Sequence, residues 1–86
     1  MMESLNGTVL LMQSEDYRER FKAEYLQLRI RTGKLGMMLD RAEGGDLDFT
    51  PKVPLPVLQA QYNAMNLYLR LLESRAEIEE IDLSEL

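Results

Sequence analysis

Cysteine, histidine and tryptophan are all absent from this 86-residue sequence. Without cysteine there is no disulfide, no thiolate metal site and no thiol nucleophile. Without histidine there is no imidazole ligand and no unperturbed base titrating near neutrality. Carboxylates, lysines and hydroxyls are the only groups left for catalysis, and none stands in a recognisable motif. Ser14, Ser74 and Ser84 have no base at a known spacing. "GKLG" and "EGGD" lack the spacing of a phosphate loop. Glu73, Glu77 and Glu80 recur at i, i+4 and i+7, but on a polar face with no opposing ligand set. Met37, Met38 and Met65 suit an adaptable core or interface better than a ligand role. The sequence reads as a non-enzyme, with no catalytic residue, no metal site and no cofactor.

Long apolar runs are missing as well. "TVLLM" is too short for a signal core or a membrane span, and the residues before it carry no basic cluster. We expect a cytoplasmic protein with no membrane partner. The net charge of −5 argues against a dedicated binder of double-stranded nucleic acid. Apolar residues make up 45% of the chain, enough to fold. The chain is nonetheless so short that a thin core, supplemented by oligomerisation, is the expectation.

Charge is unevenly placed. Arg18, Arg20, Lys22, Arg29, Arg31, Lys34 and Arg41 face only Glu19, Glu24 and Asp40 within their span, which leaves it at +4. From Glu73 onward, Glu73, Glu77, Glu79, Glu80, Asp82 and Glu85 face only Arg75, which leaves −5. An acidic tail of this kind keeps a protein soluble or pairs with the basic helix of a neighbour. The sharper alternatives are a basic surface for an anionic ligand, with Arg29 and Lys34 as candidates, or an acidic surface that mimics nucleic acid.

The chain divides into an arm (1–13), a helical region (14–80) with a Pro-rich connection at 43–55, and an acidic tail (81–86). Ser14 is placed as an N-cap with Glu15 and Asp16 in the first turn. A helical pattern then runs over about 15–42, about 42 Å at 1.5 Å per residue, and Gly44 is the expected left-handed residue that ends it. "GGDLDFTPKVPLP" (residues 44–56) is stiffened by Pro51, Pro54 and Pro56. Its apolar residues Leu47, Phe49, Val53 and Leu55 predict a connection that packs down. Pro54 or Pro56 is placed to start a second helix over about 56–80, and "IDLSEL" reads as a frayed end. The fold class is all-α: an antiparallel two-helix hairpin with a short N-terminal arm, assembled as a helical-bundle homo-oligomer. The arm is weakly specified, and its "TVLLM" reads as a short strand or as a helical turn that packs on a neighbour.

The helix faces carry the oligomer expectation. Phe21, Tyr25, Leu28, Thr32, Leu35, Leu39 and Ala42 form one seam with steps of four and three. Leu26, Ile30, Gly33 and Met37 form a second stripe on the opposite side. In the second helix the seam is Leu58, Tyr62, Met65, Leu69, Leu72 and Ala76. Val57, Ala60, Ala64, Leu67, Leu71 and Ile78 extend the apolar surface around one flank. The polar sector (Gln59, Asn63, Asn66, Arg70, Glu73, Ser74 and Glu77) is only about 100° wide, narrow for a surface helix. A single hairpin partner cannot cover these surfaces, so Leu26, Ile30, Met37, Val57, Ala64, Leu67, Leu71 and Ile78 are candidates for a face between copies; the alternative is a compact monomer in which the arm and the Pro-rich connection cover the excess. Gln61, Tyr68 and Arg75, one heptad apart, lie between the seam and that flank. Polar groups there must be paired or cost about 1–3 kcal/mol each. They are expected either to bond a neighbouring subunit and set its register or to line an inter-subunit pocket, where Arg forks onto a phosphate and Tyr stacks on a base.

"YRERFKAEYLQLRIRTGKLGMML" followed by "PLPVLQAQYNAMNLYLRLLESRAEI" resembles a family of small helical-hairpin proteins of tailed phages and prophages, some described only as related to a crAss-like phage open reading frame. The resemblance rests on Tyr17, Arg20 and Glu24, on the basic stretch to Leu35, and on Leu58, Gln61, Ala64, Met65, Tyr68, Leu72, Arg75 and Ala76. It covers roughly residues 15–78. The Pro-rich connection is longer here, and a leader precedes the first helix. The resemblance implies a phage accessory protein, and small phage proteins of this kind look like counter-defence factors in the bacterial host cytoplasm. The expectation placed first is an inhibitor that blocks a bacterial defence protein by contact, as anti-CRISPR proteins do. The second is an oligomeric sponge that sequesters a nucleotide immune signal. A phage structural or assembly module without a ligand is the third.

Overall fold

A computed structural model describes residues 5–84 and 86, the Asn6 side chain excepted. Among these residues every regular element is helical, with no strand. A 3-10 turn, Leu5–Thr8, leads into a single helical turn α1, Val9–Met12. Two long helices follow, α2 (Tyr17–Glu43) and α3 (Leu55–Ile78). They pack antiparallel: Tyr17 meets Arg75, Tyr25 meets Glu73, and Gly36 lies against Tyr62.

Capping fixes where α2 begins. Asp16, not Ser14, is the N-cap, and its Oδ1 accepts from the Arg18 N–H at 2.9 Å. Ser14 stands one step back, its Oγ accepting from the Asp16 N–H at 3.0 Å. The helix closes in a Schellman motif, with the Gly45 N–H on Ala42 O and the Asp46 N–H on Arg41 O at 2.7 Å. The left-handed residue is Gly45, φ +76°, while the expected Gly44 keeps a right-handed φ of −79°. Pro54 is the N-cap of α3, and Pro56 sits in its first turn where a missing N–H costs nothing.

The end of α3 overturns the expectation of a frayed tail. The helix stops at Ile78 in a second Schellman motif, with the Glu80 N–H on Glu77 O and the Ile81 N–H on Ala76 O at 2.8 Å. Glu80 takes the left-handed position at φ +57°, where glycine would be unstrained. Ile81 is thereby turned back into the core and buried. Asp82 Oδ1 accepts from both the N–H and the hydroxyl of Ser84, which holds the next turn. These bonds to the ionised form hold the Asp82 carboxyl below its usual range.

The core sits at this end of the helix pair. Phe21 and Tyr25 of α2 meet Leu72 and Ala76 of α3, and Ile81 closes over them, with Leu28, Leu69, Leu83 and Leu86 packed around. Thr32, buried on the same seam, satisfies its hydroxyl on the Leu28 carbonyl at 2.7 Å. Toward the connection the helices part. A cleft of about 470 Å³ opens between them beyond Tyr62, whose ring comes so close to α2 that a Cβ at Gly36 would lie 2.9 Å from it. Phe49, Val53 and Leu55 are exposed rather than packed down, because nothing in the described chain lies over them.

The arm packs on its own α2, as a turn of helix and not a strand. Gln27 Nε2 donates to Thr8 Oγ1 at 2.7 Å and also to the Met12 sulfur. Thr8 is buried and its hydroxyl donates to the Leu5 carbonyl. Ala23 and Leu26, on the side of α2 away from α3, are fully buried. Leu26, expected on a face between copies, is therefore consumed within the protomer.

Because the Schellman turn carries strain at Glu80 and burial at Ile81, two substitutions should move stability in opposite directions. Glu80→Gly should stabilise by roughly 1 kcal/mol, and Ile81→Ala should cost about 2–4 kcal/mol. Urea unfolding monitored by circular dichroism measures both. A cost below about 0.5 kcal/mol for Ile81→Ala would mean the tail does not pack.

Candidate functional site

Between Tyr25 and Leu39 the chain carries Arg29, Arg31 and Lys34 and no acidic residue. The helical repeat puts Arg29, Ile30, Gly33, Lys34 and Met37 along the side of α2 that the arm leaves bare below Leu26. These five residues line one open depression of about 290 Å³. Its floor is low at Gly33, where a Cβ would meet nothing within 4 Å. Two cations flank an apolar strip, with an unobstructed backbone between them. That combination accepts a flat or elongated anion: the cations take the charge and Ile30 and Met37 take the apolar body.

Arg29 is held from beneath. Its guanidinium carbon lies 5.8 Å from the centroid of the Tyr25 ring, a cation–π distance. The Tyr25 hydroxyl in turn donates to Glu73 Oε2 at 2.8 Å across the helix interface. Burial, and after it the Glu73 carboxylate, push the Tyr25 phenol above its ordinary value, while Arg29 pulls weakly the other way. Glu73, Tyr25 and Arg29 thus form a line from α3, through the edge of the core, to the depression on α2. Tyr25 reads as a seam residue in the sequence, and nothing in the spacing reveals that its hydroxyl reaches across to Glu73.

The polar ladder of α3 turns out to face its own α2. Tyr68 donates its hydroxyl to Glu24 Oε2. Arg75 donates to the Tyr17 hydroxyl at 3.0 Å, lies 5.0 Å over the Phe21 ring and sits 3.5 Å from Glu79. The Tyr17 bond, more than the nearby carboxylates, raises the Arg75 pKa. Gln61 is exposed, and its amide reaches only the Met65 sulfur at 3.9 Å. Tyr68 and Arg75 are therefore satisfied inside the protomer, and no neighbour is needed to pair them. The ladder does not join Arg29 and Lys34 in one pocket.

The larger cleft beside Tyr62 is lined by Asp40 and Glu43 and by no cation, so it does not suit an anion. Of the residues expected on a face between copies, Ile30 and Met37 border the depression on α2. Val57, Ala64, Leu67, Leu71 and Ile78 lie exposed along α3. No described helix is long and apolar enough to cross a membrane.

A family model described as Sequestin matches residues 15–78. The chain belongs to the Sequestin family. The Sequestin match takes in both long helices, and with them the depression and most of the core. It leaves out the arm and the turn at Ile81. It spans the same residues as the resemblance to phage helical-hairpin proteins, though a phage origin is no part of what it shows. No curated protein and no solved structure matches the chain.

Because its pKa is raised in the folded state, the Tyr25 phenol contributes stability that is complete below pH 10.0, its ordinary value, and is lost as pH rises through the folded value. The difference between the tyrosinate absorbance titrations of the wild-type protein and Tyr25→Phe isolates the Tyr25 transition, which should lie above pH 10.0. Glu73→Gln should move that transition down. A Tyr25 transition at its ordinary value, unmoved by Glu73→Gln, would mean that the Tyr25–Glu73 bond does not form.

Proposed function

We propose that this protein is a non-enzymatic sequestering protein, which holds a small anionic ligand of nucleotide type in the Arg29–Lys34 depression and withdraws it from solution. The observation that carries this reading is the meeting of two cations across the bare Gly33 floor between Ile30 and Met37. The family name, Sequestin, fits a sequestering role. At about 290 Å³ the depression lies near the lower end of the roughly 300–1,000 Å³ usual for small-molecule sites. It is open on one side, so affinity rests on charge and stacking more than on enclosure. Against the resemblance to phage accessory proteins, the natural ligand class is a nucleotide signal of bacterial immunity in the host cytoplasm.

The competing reading is a counter-defence inhibitor that acts by contact with a defence protein. It draws on exposed apolar side chains of the arm, Val9, Leu10 and Met12. The sponge reading is preferred because an acid-free basic strip over a glycine floor fits a compact anion better than a flat protein surface.

Calorimetry against cyclic dinucleotides, cyclic trinucleotides and linear mononucleotides separates the two. We expect at least one cyclic nucleotide to bind, more weakly as salt rises. Arg29→Ala and Lys34→Ala should each weaken binding about tenfold, or about 1.4 kcal/mol, and Gly33→Leu should abolish it by filling the floor. If no nucleotide binds, and the protein instead retains a defence effector from a bacterial lysate, the contact reading replaces this one.

A further inference from the structure

Among the described residues, two arginines lie over aromatic rings, and their charges are treated differently. Arg75 lies 5.0 Å from the centroid of the Phe21 ring and is ion-paired with Glu79 at 3.5 Å. Arg29 lies 5.8 Å from the centroid of the Tyr25 ring, and no ion pair holds it among the described residues. A carboxylate is nonetheless close at hand. Glu73 reaches the same tyrosine from α3, and its Oε2 accepts from the Tyr25 hydroxyl at 2.8 Å. Cation and carboxylate converge on one side chain from opposite helices without bonding each other. Both act on its phenol, Glu73 raising the pKa and Arg29 lowering it.

The hydroxyl is surplus to packing. Phe21, one turn earlier on the same seam, is buried without one, and a phenylalanine at position 25 would fill the same space. What only the hydroxyl supplies is a donor for Glu73. A guanidinium and a carboxylate this near, beside a buried ring, attract each other and pair in a fork when nothing intervenes. Such a pair would cancel the charge that Arg29 brings to the depression on α2.

We infer that Tyr25 is a positioning residue: it occupies Glu73 with its hydroxyl and carries Arg29 on its ring, so that the guanidinium stays unpaired and free to meet an anion in the depression. The depression is lined by α2 alone, yet its charge then depends on α3, through Glu73. Tyr25 touches no ligand in this role and acts only through Arg29. The role rests on the reading of the depression as an anion site, because an unpaired cation matters only where something binds it. The state of Arg29 can nonetheless be read with no ligand present.

Heteronuclear NMR of the Arg29 Nε–H gives that reading. In the wild-type chain this proton should exchange rapidly with water, as that of an unpaired guanidinium does. Tyr25→Phe should release Glu73, draw Arg29 into an ion pair and slow the exchange severalfold, with helical circular dichroism retained. Adding Glu73→Gln to Tyr25→Phe should restore the wild-type rate. Calorimetry with a cyclic dinucleotide then reads the consequence. Tyr25→Phe should weaken binding by up to about tenfold, the loss expected of Arg29→Ala, and should cost nothing further once Arg29→Ala is present. Glu73→Gln should recover most of that loss in the Tyr25→Phe chain and gain much less in the wild type, a coupling that a merely structural hydroxyl would not show. A slowly exchanging Arg29 in the wild type, an Arg29 signal unmoved by Tyr25→Phe, or equal gains from Glu73→Gln in both chains would overturn the inference. If no nucleotide binds while the Arg29 signals behave as described, the nucleotide reading falls and the role of Tyr25 stands.

Discussion

The structure depends on the packing of Phe21 and Tyr25 against Leu72 and Ala76, with Ile81 folded over them. Each large apolar side chain buried here contributes about 1.5–3 kcal/mol, and few others in the chain are buried as deeply. The remaining contacts between the helices are arranged around this cluster. Tyr68–Glu24 and Arg75–Tyr17 bond on one flank, and Tyr25–Glu73 on the other. Remove the cluster and the antiparallel register that brings these partners together has little else to hold it.

Concentrating the core at one end has consequences along the whole length of the helices. Where the core is strong, the arm lies against α2 and the C-terminal turn folds over the helix pair, and Thr8, Ala23, Leu26 and Ile81 are buried. Toward the connection the helices part around Tyr62, and apolar side chains reach solvent. The basic depression on α2 begins where the arm ends, and the bare strip on α3 runs along the opposite helix. A chain of this length has enough apolar residues for more than one face, but only enough partners to cover one of them. The uncovered faces are where binding is available.

The long helices were legible because their periodicity is strong, and their bounds fell within about two residues. Residues at the ends were harder to read. Glu80 in a left-handed conformation offers none of the signal that a glycine gives, so the turn that buries Ile81 reads as fraying. Gly44 and Gly45 are adjacent, and only the backbone decides which of them turns. The arm's docking was hidden as well, because a Thr8–Gln27 bond between short segments has no period to betray it. Of the site, Arg29, Lys34, Ile30 and Met37 were each visible as types on a helix, and the fold brings them into one depression. Gln61, Tyr68 and Arg75 were visible as a ladder, but the sequence could not say that Tyr68 and Arg75 would find partners on their own α2.

Stability is gathered at the Phe21–Leu72–Ile81 end, and the proposed binding site lies outside that core. Native-state hydrogen exchange tests this most directly. The slowest amides, exchanging only through global unfolding, should lie near residues 21–28 of α2 and 69–76 of α3. Amides of residues 36–42 and 55–62, beside the open cleft, should exchange through smaller local openings. Uniform protection along both helices, or slowest exchange beside the cleft, would contradict the account.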